Sequence, residues 1–237
     1  MSNAEVFIDI YNKIDNLLRK SGQYDADDSF TRKVKQSKNA VVRRYRGRLI
    51  SMGELRNAIV HNPKIDGKPI ADPHDATVRE IEKIYNQLSN PKKVIPTFQF
   101  DVLGARKDEY INDILIEMKR WSFSQFPVLD ENGSVIELIN TNTIARWLSS
   151  QVEDNGTVII DEVKVEDFLS EIESPKNYEF ISRDTSVFEA YEIFTTHVEK
   201  SNRRLDVLFI TQSGKPTETL LGLATIEDVA SEVISAS

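Results

Sequence analysis

The stretch Leu220-Leu221-Gly222-Leu223-Ala224-Thr225-Ile226-Glu227-Asp228 reads as a strand that turns straight into a helix. Its apolar, strand-compatible run ends at Thr225, and an acidic, helix-like segment from Ile226 to Val233 follows at once. A helix start presents backbone N–H groups with no partner inside the helix, together with the positive end of the helix dipole. Such a turn is a ready site for a phosphate. Asp228, three residues into the helix, is placed to accept hydrogen bonds from a ribose diol. Thr225-x-x-Asp228 is also a capping box with Asp where Glu or Gln is usual, and that role alone accounts for both residues.

Working outward, the same order of elements occurs twice. The apolar residues Ile114, Leu115 and Met118 mark Ile111 to Arg120 as helical, and Phe126-Pro127-Val128-Leu129 reads as a short strand. Asp130-Glu131-Asn132-Gly133 is a hairpin turn, Val135 to Ile139 its second strand, and Asn140 to Leu148 a helix. Further on, Phe180-Ile181 is strand-like, Ser186 to Val198 helical and Leu205 to Ile210 a strand. Ser213-Gly214-Lys215-Pro216 is a turn, leading into the opening stretch. The two final strand–helix junctions lie 85 residues apart, Glu137 to Gly222, and an internal duplication is the simplest account. Between the copies lie Asp154-Asn155-Gly156, an apolar Val158-Ile159-Ile160 and a short acidic helix near Val165 to Ile172.

The first part of the chain has a different period. Val6, Ile10, Ile14 and Leu17 predict a helix over 4–20, and Asp27-Asp28-Ser29 predicts the cap of a second helix reaching about Lys38. A helical pattern then runs from Val41 to Val60, stopped by Asn62-Pro63, and another from Asp75 to Leu88. Pro63 to Pro73 is a loop with Asp66-Gly67 as its turn. Asn90-Pro91-Lys92-Lys93 marks the boundary. The expected architecture is therefore multidomain: an all-α helical bundle over 1–95, then an α+β module over 96–237.

Charge divides the chain the same way. Residues 1–95 carry 18 Lys and Arg against 12 Asp and Glu, a net +6, while residues 96–237 carry 12 against 26, a net −14. The basic part can meet a polyanion, and the acidic part is a poor nucleic-acid surface that can still hold one small nucleotide in a local pocket. With no Cys in 237 residues, disulfides, thiolate metal sites and cysteine nucleophiles are excluded. No signal peptide or apolar run long enough to span a membrane is present, so a cytoplasmic location is expected. His74 and His197 have no second His at metal-ligand spacing, so no metal site is expected. No P-loop, Gly-x-Ser-x-Gly or Rossmann fingerprint occurs.

The unit of helix, Phe126-Pro127-Val128, Asp130-x-x-Gly133, strand and helix resembles a CBS domain, and so does the second copy. Over 96–237 the chain resembles a tandem CBS pair of β-α-β-β-α repeats, the first about 96–150 and the second about 176–237. The family's Gly-x-x-Thr-x-x-Asp signature is matched at Gly222, Thr225 and Asp228. The resemblance implies that Asp228 binds ribose hydroxyls and that Thr225 and the helix start hold ribose or phosphate. It implies an adenine ligand: AMP, ADP, ATP, S-adenosylmethionine or a cyclic dinucleotide such as cyclic di-AMP. The adenine would lie near Phe180, Ile181, Leu205 and Val207. Arg203 and Arg204 either reach a phosphate or form a solvated basic pair. The first copy departs from the signature, with Glu137, Asn140 and Thr143 at the aligned positions. Thr143 lacks a carboxylate and Glu137 repels a phosphate, so at most one strong site is expected, on the second copy.

In the first part, Leu55-Arg56-Asn57-Ala58-Ile59-Val60-His61 resembles the signature of HEPN domains, small helical bundles whose active members are metal-independent endoribonucleases working as dimers. That resemblance implies catalytic roles for Arg56, Asn57 and His61. Arg stabilises charge on a phosphorane-like transition state, His moves protons to and from the ribose 2′-hydroxyl, and Asn57 orients the phosphate. Arg43-Arg44-Tyr45-Arg46-Gly47-Arg48 would face the RNA backbone. Five positions on a helix turn about 140°, so the two side chains converge only if His61 lies beyond the helix end or across a dimer. The alternative is structural: His61 favours a helix C-terminus and Arg56 forms a surface ion pair.

Together these readings predict a homodimeric regulatory protein. Its CBS pair senses an adenine nucleotide and modulates a HEPN-like, RNA-binding domain. The alternatives are a metal-independent ribonuclease gated by nucleotide and a non-enzymatic dimerisation protein with a vestigial CBS site.

Overall fold

Among the described residues of the first 92 are five helices: α1 (Asn3–Ser21), α2 (Phe30–Gln36), α3 (Ala40–Arg44), α4 (Arg46–His61) and α5 (Asp75–Ser89). The computed structural model describes residues 2–22, 24–25, 27–152, 162–172, 177–201 and 205–235, in two compact units, 1–92 and 93–237. Helix α1 starts in a reciprocal capping box: the Glu5 amide donates to Ser2 Oγ and the Ser2 amide to Glu5 Oε2. Phe7, Ile10, Ile14 and Leu18 line its buried stripe and meet Phe30, Val34, Leu49, Met52, Ile59, Ile81 and Ile84 in one core. The single helix expected over Val41–Val60 is two helices, because Tyr45 leaves the helical region at φ −97° and ψ 15° while Asn39 caps α3 separately. Asp66 and Gly67 both take positive φ in the loop before α5, as a tight two-residue turn requires.

One buried charge stands out in this unit. Lys33 is 2% exposed and pairs with Asp15 of α1, which also takes Arg19 at 3.3 Å. Removing only the acid leaves an uncompensated ammonium in the core. Asp15→Ala is therefore expected to destabilise this unit by about 2–3 kcal/mol, and Lys33→Met by less than half of that. Urea denaturation of the two variants checks the order; a larger loss in Lys33→Met would refute it.

The second unit begins at Lys93, three residues before the boundary expected from sequence, because the Val94 amide donates to Thr185 O at 2.9 Å. Its elements are α6 (Val94–Thr97), α7 (Ile111–Trp121), β1 (Gln125–Leu129), β2 (Val135–Asn140), α8 (Thr141–Ser150) and α9 (Val165–Phe168) with a 3-10 turn. They are followed by β3 (Tyr178–Ser182), α10 (Val187–Ser201), β4 (Val207–Thr211), β5 (Gly222–Ala224) and α11 (Ile226–Ser235). The Asp154–Gly156 and Val158–Ile160 segments lie outside the described residues.

The duplication is visible in the hydrogen-bond register. In the second copy, Ile210 of β4 is flanked by Ile181 of parallel β3 and Gly222 of antiparallel β5. In the first, Val128 of β1 is flanked by Ala105, in a parallel bridge, and by Glu137 of antiparallel β2. The leading strand of the first copy is thus reduced to one bridged residue. Each copy's hairpin turns on a glycine with positive φ, Gly133 at 76° and Gly214 at 84°. The two sheets face each other across a core of Leu129, Val135, Leu138, Tyr178, Val207, Phe209 and Leu220. Strand β5 starts two residues later than expected, since Leu220 gives its amide to Gly133 O of the other copy.

Candidate functional site

The strand–helix junction of the second copy is a closed cap. Asp228 Oδ2 accepts from the Thr225 amide at 2.9 Å and from Thr225 Oγ1 at 2.8 Å, and the Asp228 amide returns to Thr225 Oγ1 at 3.4 Å. The same three bonds occur at Ser186–Glu189, at the start of α10. A cap alone therefore suffices to explain this geometry. Asp228 is nonetheless exposed, so a ribose can reach it. Gly222 has a separate cause: a Cβ there would lie 2.0 Å from Phe98 O, whose neighbour Gln99 bridges to Gly222.

The junction of the first copy is already occupied by protein. Asn140 caps α8, accepting from the Thr143 amide at 2.9 Å and from Thr143 Oγ1 at 3.1 Å. Its amide nitrogen donates to Asp206 Oδ2 at 3.1 Å, and Asn177 Nδ2 donates to the same oxygen. Glu137 lies beside Tyr178; burial first, then this carboxylate, pushes the Tyr178 phenol above its ordinary range.

Asn177 and Asp206 stand at the entrances to β3 and β4, four residues before Ile181 and Ile210. They meet the junction of the other copy. By the repeat, their counterparts in the first copy, four before Ala105 and Val128, are Asp101 and Ser124. The wall proposed from sequence is built differently. Val207 is fully buried in the inter-sheet core and Leu205 is buried. The strand pleat puts Phe180 on the inter-sheet face and Ile181 on the opposite one, so one flat ligand cannot lie on both. Arg203 and Arg204 lie outside the described residues.

A cavity of about 360 Å³ lies between β1 and β5, with Asp101 among its lining residues. Gln125 and Pro127 of β1 and Leu223 of β5 form its sides, with Phe100, Asp101, Val102, Leu103, Trp121 and Phe123 around them. Trp121 and Phe123 stack with centroids 6.5 Å apart and planes at 20°. Both remain about half exposed, at 51% and 43%. Gln125 Oε1 is buried and accepts no hydrogen bond among the described residues. An unpaired buried acceptor is costly. Trp121, Phe123 and Gln125 carry no motif of their own, and Pro127 and Leu223 enter the sequence reading only as strand residues.

In the helical unit, Arg56, Asn57 and His61 come together within one chain. Arg56 Nη1 lies 2.9 Å from His61 Nε2 and donates to Asn57 Oδ1 at 3.3 Å. The helix includes His61 as its last residue, so convergence needs neither a position past the helix end nor a second chain; the long Arg side chain spans the turn. A guanidinium only donates, so this contact uses the tautomer whose Nε2 carries a lone pair. Arg56 also lies over the Tyr11 ring at 5.8 Å. Burial, then Asp15, raises the Tyr11 phenol to about 12 against a lowering by Arg56, which leaves it a neutral hydroxyl. A polar cavity of about 290 Å³ adjoins Arg56 and Asn57.

No family model matches the sequence, and no curated protein matches it. Its structural neighbours are CBS-domain proteins. They include the CBS domain of a CBS-domain-containing membrane protein from Sphaerobacter thermophilus, 14% identical at a TM-score of 0.46, covering 66% of this chain and 95% of that one. Another is a CBS-domain protein of unknown function from Kribbella flavida, 14% identical at a TM-score of 0.45, over 60% of this chain and 99% of that one. A third is a CBS domain pair crystallised with 5′-methylthioadenosine and S-adenosyl-L-methionine, 15% identical at a TM-score of 0.44, over 62% and 99% of the two chains. Among the described residues, no helix is long and apolar enough to cross a membrane and no cluster of His, Asp and Glu is placed to hold a metal ion.

Proposed function

We propose that the second unit is a CBS-type pair that binds one adenine nucleotide or nucleoside, and that occupancy regulates the helical unit. The base lies in the inter-sheet cavity, and the ribose lies at Thr225 and Asp228. The observation that carries this reading is the cavity itself. It is aromatic, and its Leu223 wall leads directly into the Thr225–Asp228 cap. The first copy contributes no second strong site, since Asn140 is engaged by Asp206 and Glu137 adds like charge.

Titration calorimetry with AMP, ADP, ATP, S-adenosylmethionine and cyclic di-AMP tests the assignment. Asp228→Ala is expected to weaken the ligand that binds by about tenfold or more, through loss of a charged hydrogen-bond acceptor. Loss of the cap costs about 1 kcal/mol in the same variant and leaves the fold intact. Unchanged affinity in Asp228→Ala would leave the junction as a cap alone.

A second reading concerns the helical unit. We infer that it is a HEPN-like, RNA-binding domain with metal-independent endoribonuclease activity, working as a homodimer. The 2.9 Å contact between Arg56 and His61 favours it over scattered surface charges.

A further inference from the structure

We propose that the polar cavity of the helical unit is a base subsite that reads guanine in single-stranded RNA. This rests on the reading of that unit as an RNA-binding domain in which Arg56 and His61 handle the phosphate. Arg56 and Asn57 line the cavity, and Arg56 also makes the contact to His61, so a phosphate held there brings an attached nucleoside to the cavity. At about 290 Å³ the space lies at the small end of ligand pockets and takes one base rather than a longer segment. Tyr11 and Phe30, with ring centroids 4.4 Å apart, give it one aromatic side. Unstacked bases of single-stranded RNA are held on such rings while their edges are read by hydrogen bonds.

The carboxylates of the lining decide which edge fits. Asp15 and Asp28 are held in ion pairs, with Lys33 and with Arg32. Glu54, the third acid, is exposed and lies three residues before Asn57, on the same face of α4. An ionised carboxylate only accepts hydrogen bonds. Guanine presents two adjacent donors, N1–H and the N2 amino group, which match its two oxygens. Adenine, cytosine and uracil each present one donor group on that edge beside at least one acceptor, and a carboxylate repels an acceptor. Asn57 Oδ1 accepts from Arg56, which leaves the Asn57 amide nitrogen as the donor for guanine O6. Glu54 and Asn57 together therefore match the donor–donor–acceptor edge of guanine and no other base.

Four labelled uridine nonamers with a central G, A, C or U test the inference on the full chain by fluorescence anisotropy. Their 2′-fluoro groups replace the 2′-hydroxyls, so they cannot be cut, and the result does not depend on whether the chain cleaves RNA. The nonamer with G is expected to bind about tenfold tighter than the other three. Glu54→Gln should bring it down to their level and leave the other three unchanged; Glu54 is exposed, so this variant keeps its fold. Equal binding of all four would overturn the guanine subsite while keeping the RNA-binding reading. A preference for G that survives Glu54→Gln would also overturn it, by placing the recognition elsewhere. Binding of none of the four would remove the RNA-binding reading as well.

Discussion

Gly222→Ala is expected to destabilise the second unit by about 4 kcal/mol, at the upper end of what one added methyl does. The added Cβ would lie 2.0 Å from Phe98 O and 3.1 Å from its carbonyl carbon. Those are backbone atoms, so no rotamer change can relieve the clash. Either the Phe98–Gln99 segment or β5 must move, and the bridge between Gln99 and Gly222 opens with it. Gly222 itself sits opposite Ile210, and the neighbouring Ala224 and Leu208 are fully buried. A shift of β5 therefore disturbs a packed layer as well as one hydrogen bond. Thermal and urea denaturation of the full chain measure this. The loss should appear in the transition of the second unit and leave that of the helical unit in place. A change below about 1 kcal/mol would mean that the Phe98 segment is free to leave β5. Gly133→Ala, where the nearest atom is the Thr219 methyl at 3.2 Å and φ is 76°, is the milder control.

The same residue shows what could be read from sequence and what could not. Gly222 was noticeable in the sequence as part of a Gly-x-x-Thr-x-x-Asp pattern, and the strand, cap and helix around it follow from local chemistry. Alternation of apolar residues, the Asp130–Gly133 turn and the Thr225 cap are all short-range signals, and the elements they predict are present. The reason for the glycine is long-range: it is the approach of Phe98, more than a hundred residues earlier in the chain. The inter-sheet cavity was hidden for the same reason. Gln125, Trp121 and Asp101 carry no pattern of their own. They are brought together only by the fold, around a cavity whose far wall is Leu223 of the second copy. The leading strand of the first copy was also illegible, since Ala105 is its one bridged residue.

His61→Ala is expected to lower cleavage of single-stranded RNA by about a hundredfold to ten-thousandfold, the usual effect of removing a general acid or base. Activity of the parent chain should survive EDTA, because the proposed chemistry uses only side chains. Arg56→Ala should lose about a hundredfold or more, as removal of a transition-state charge partner does. Asn57 donates nothing to Arg56 but accepts from it, so Asn57→Ala removes a brace and should cost less than either. The variants separate catalysis from folding. His61 and Asn57 are exposed and Arg56 is only half-buried, so their stability changes should stay small beside the loss of rate. The surface reading makes the opposite forecast. If Arg56 and His61 serve only the helix end, His61→Ala cleaves as well as the parent chain, or neither cleaves at all. Either result would return the 2.9 Å contact to a structural role and leave the helical unit as a binding or dimerisation domain. Loss of cleavage in His61→Ala with thermal stability held would instead place the proton transfer on this histidine, with the buried Tyr11 ring supporting the guanidinium beside it.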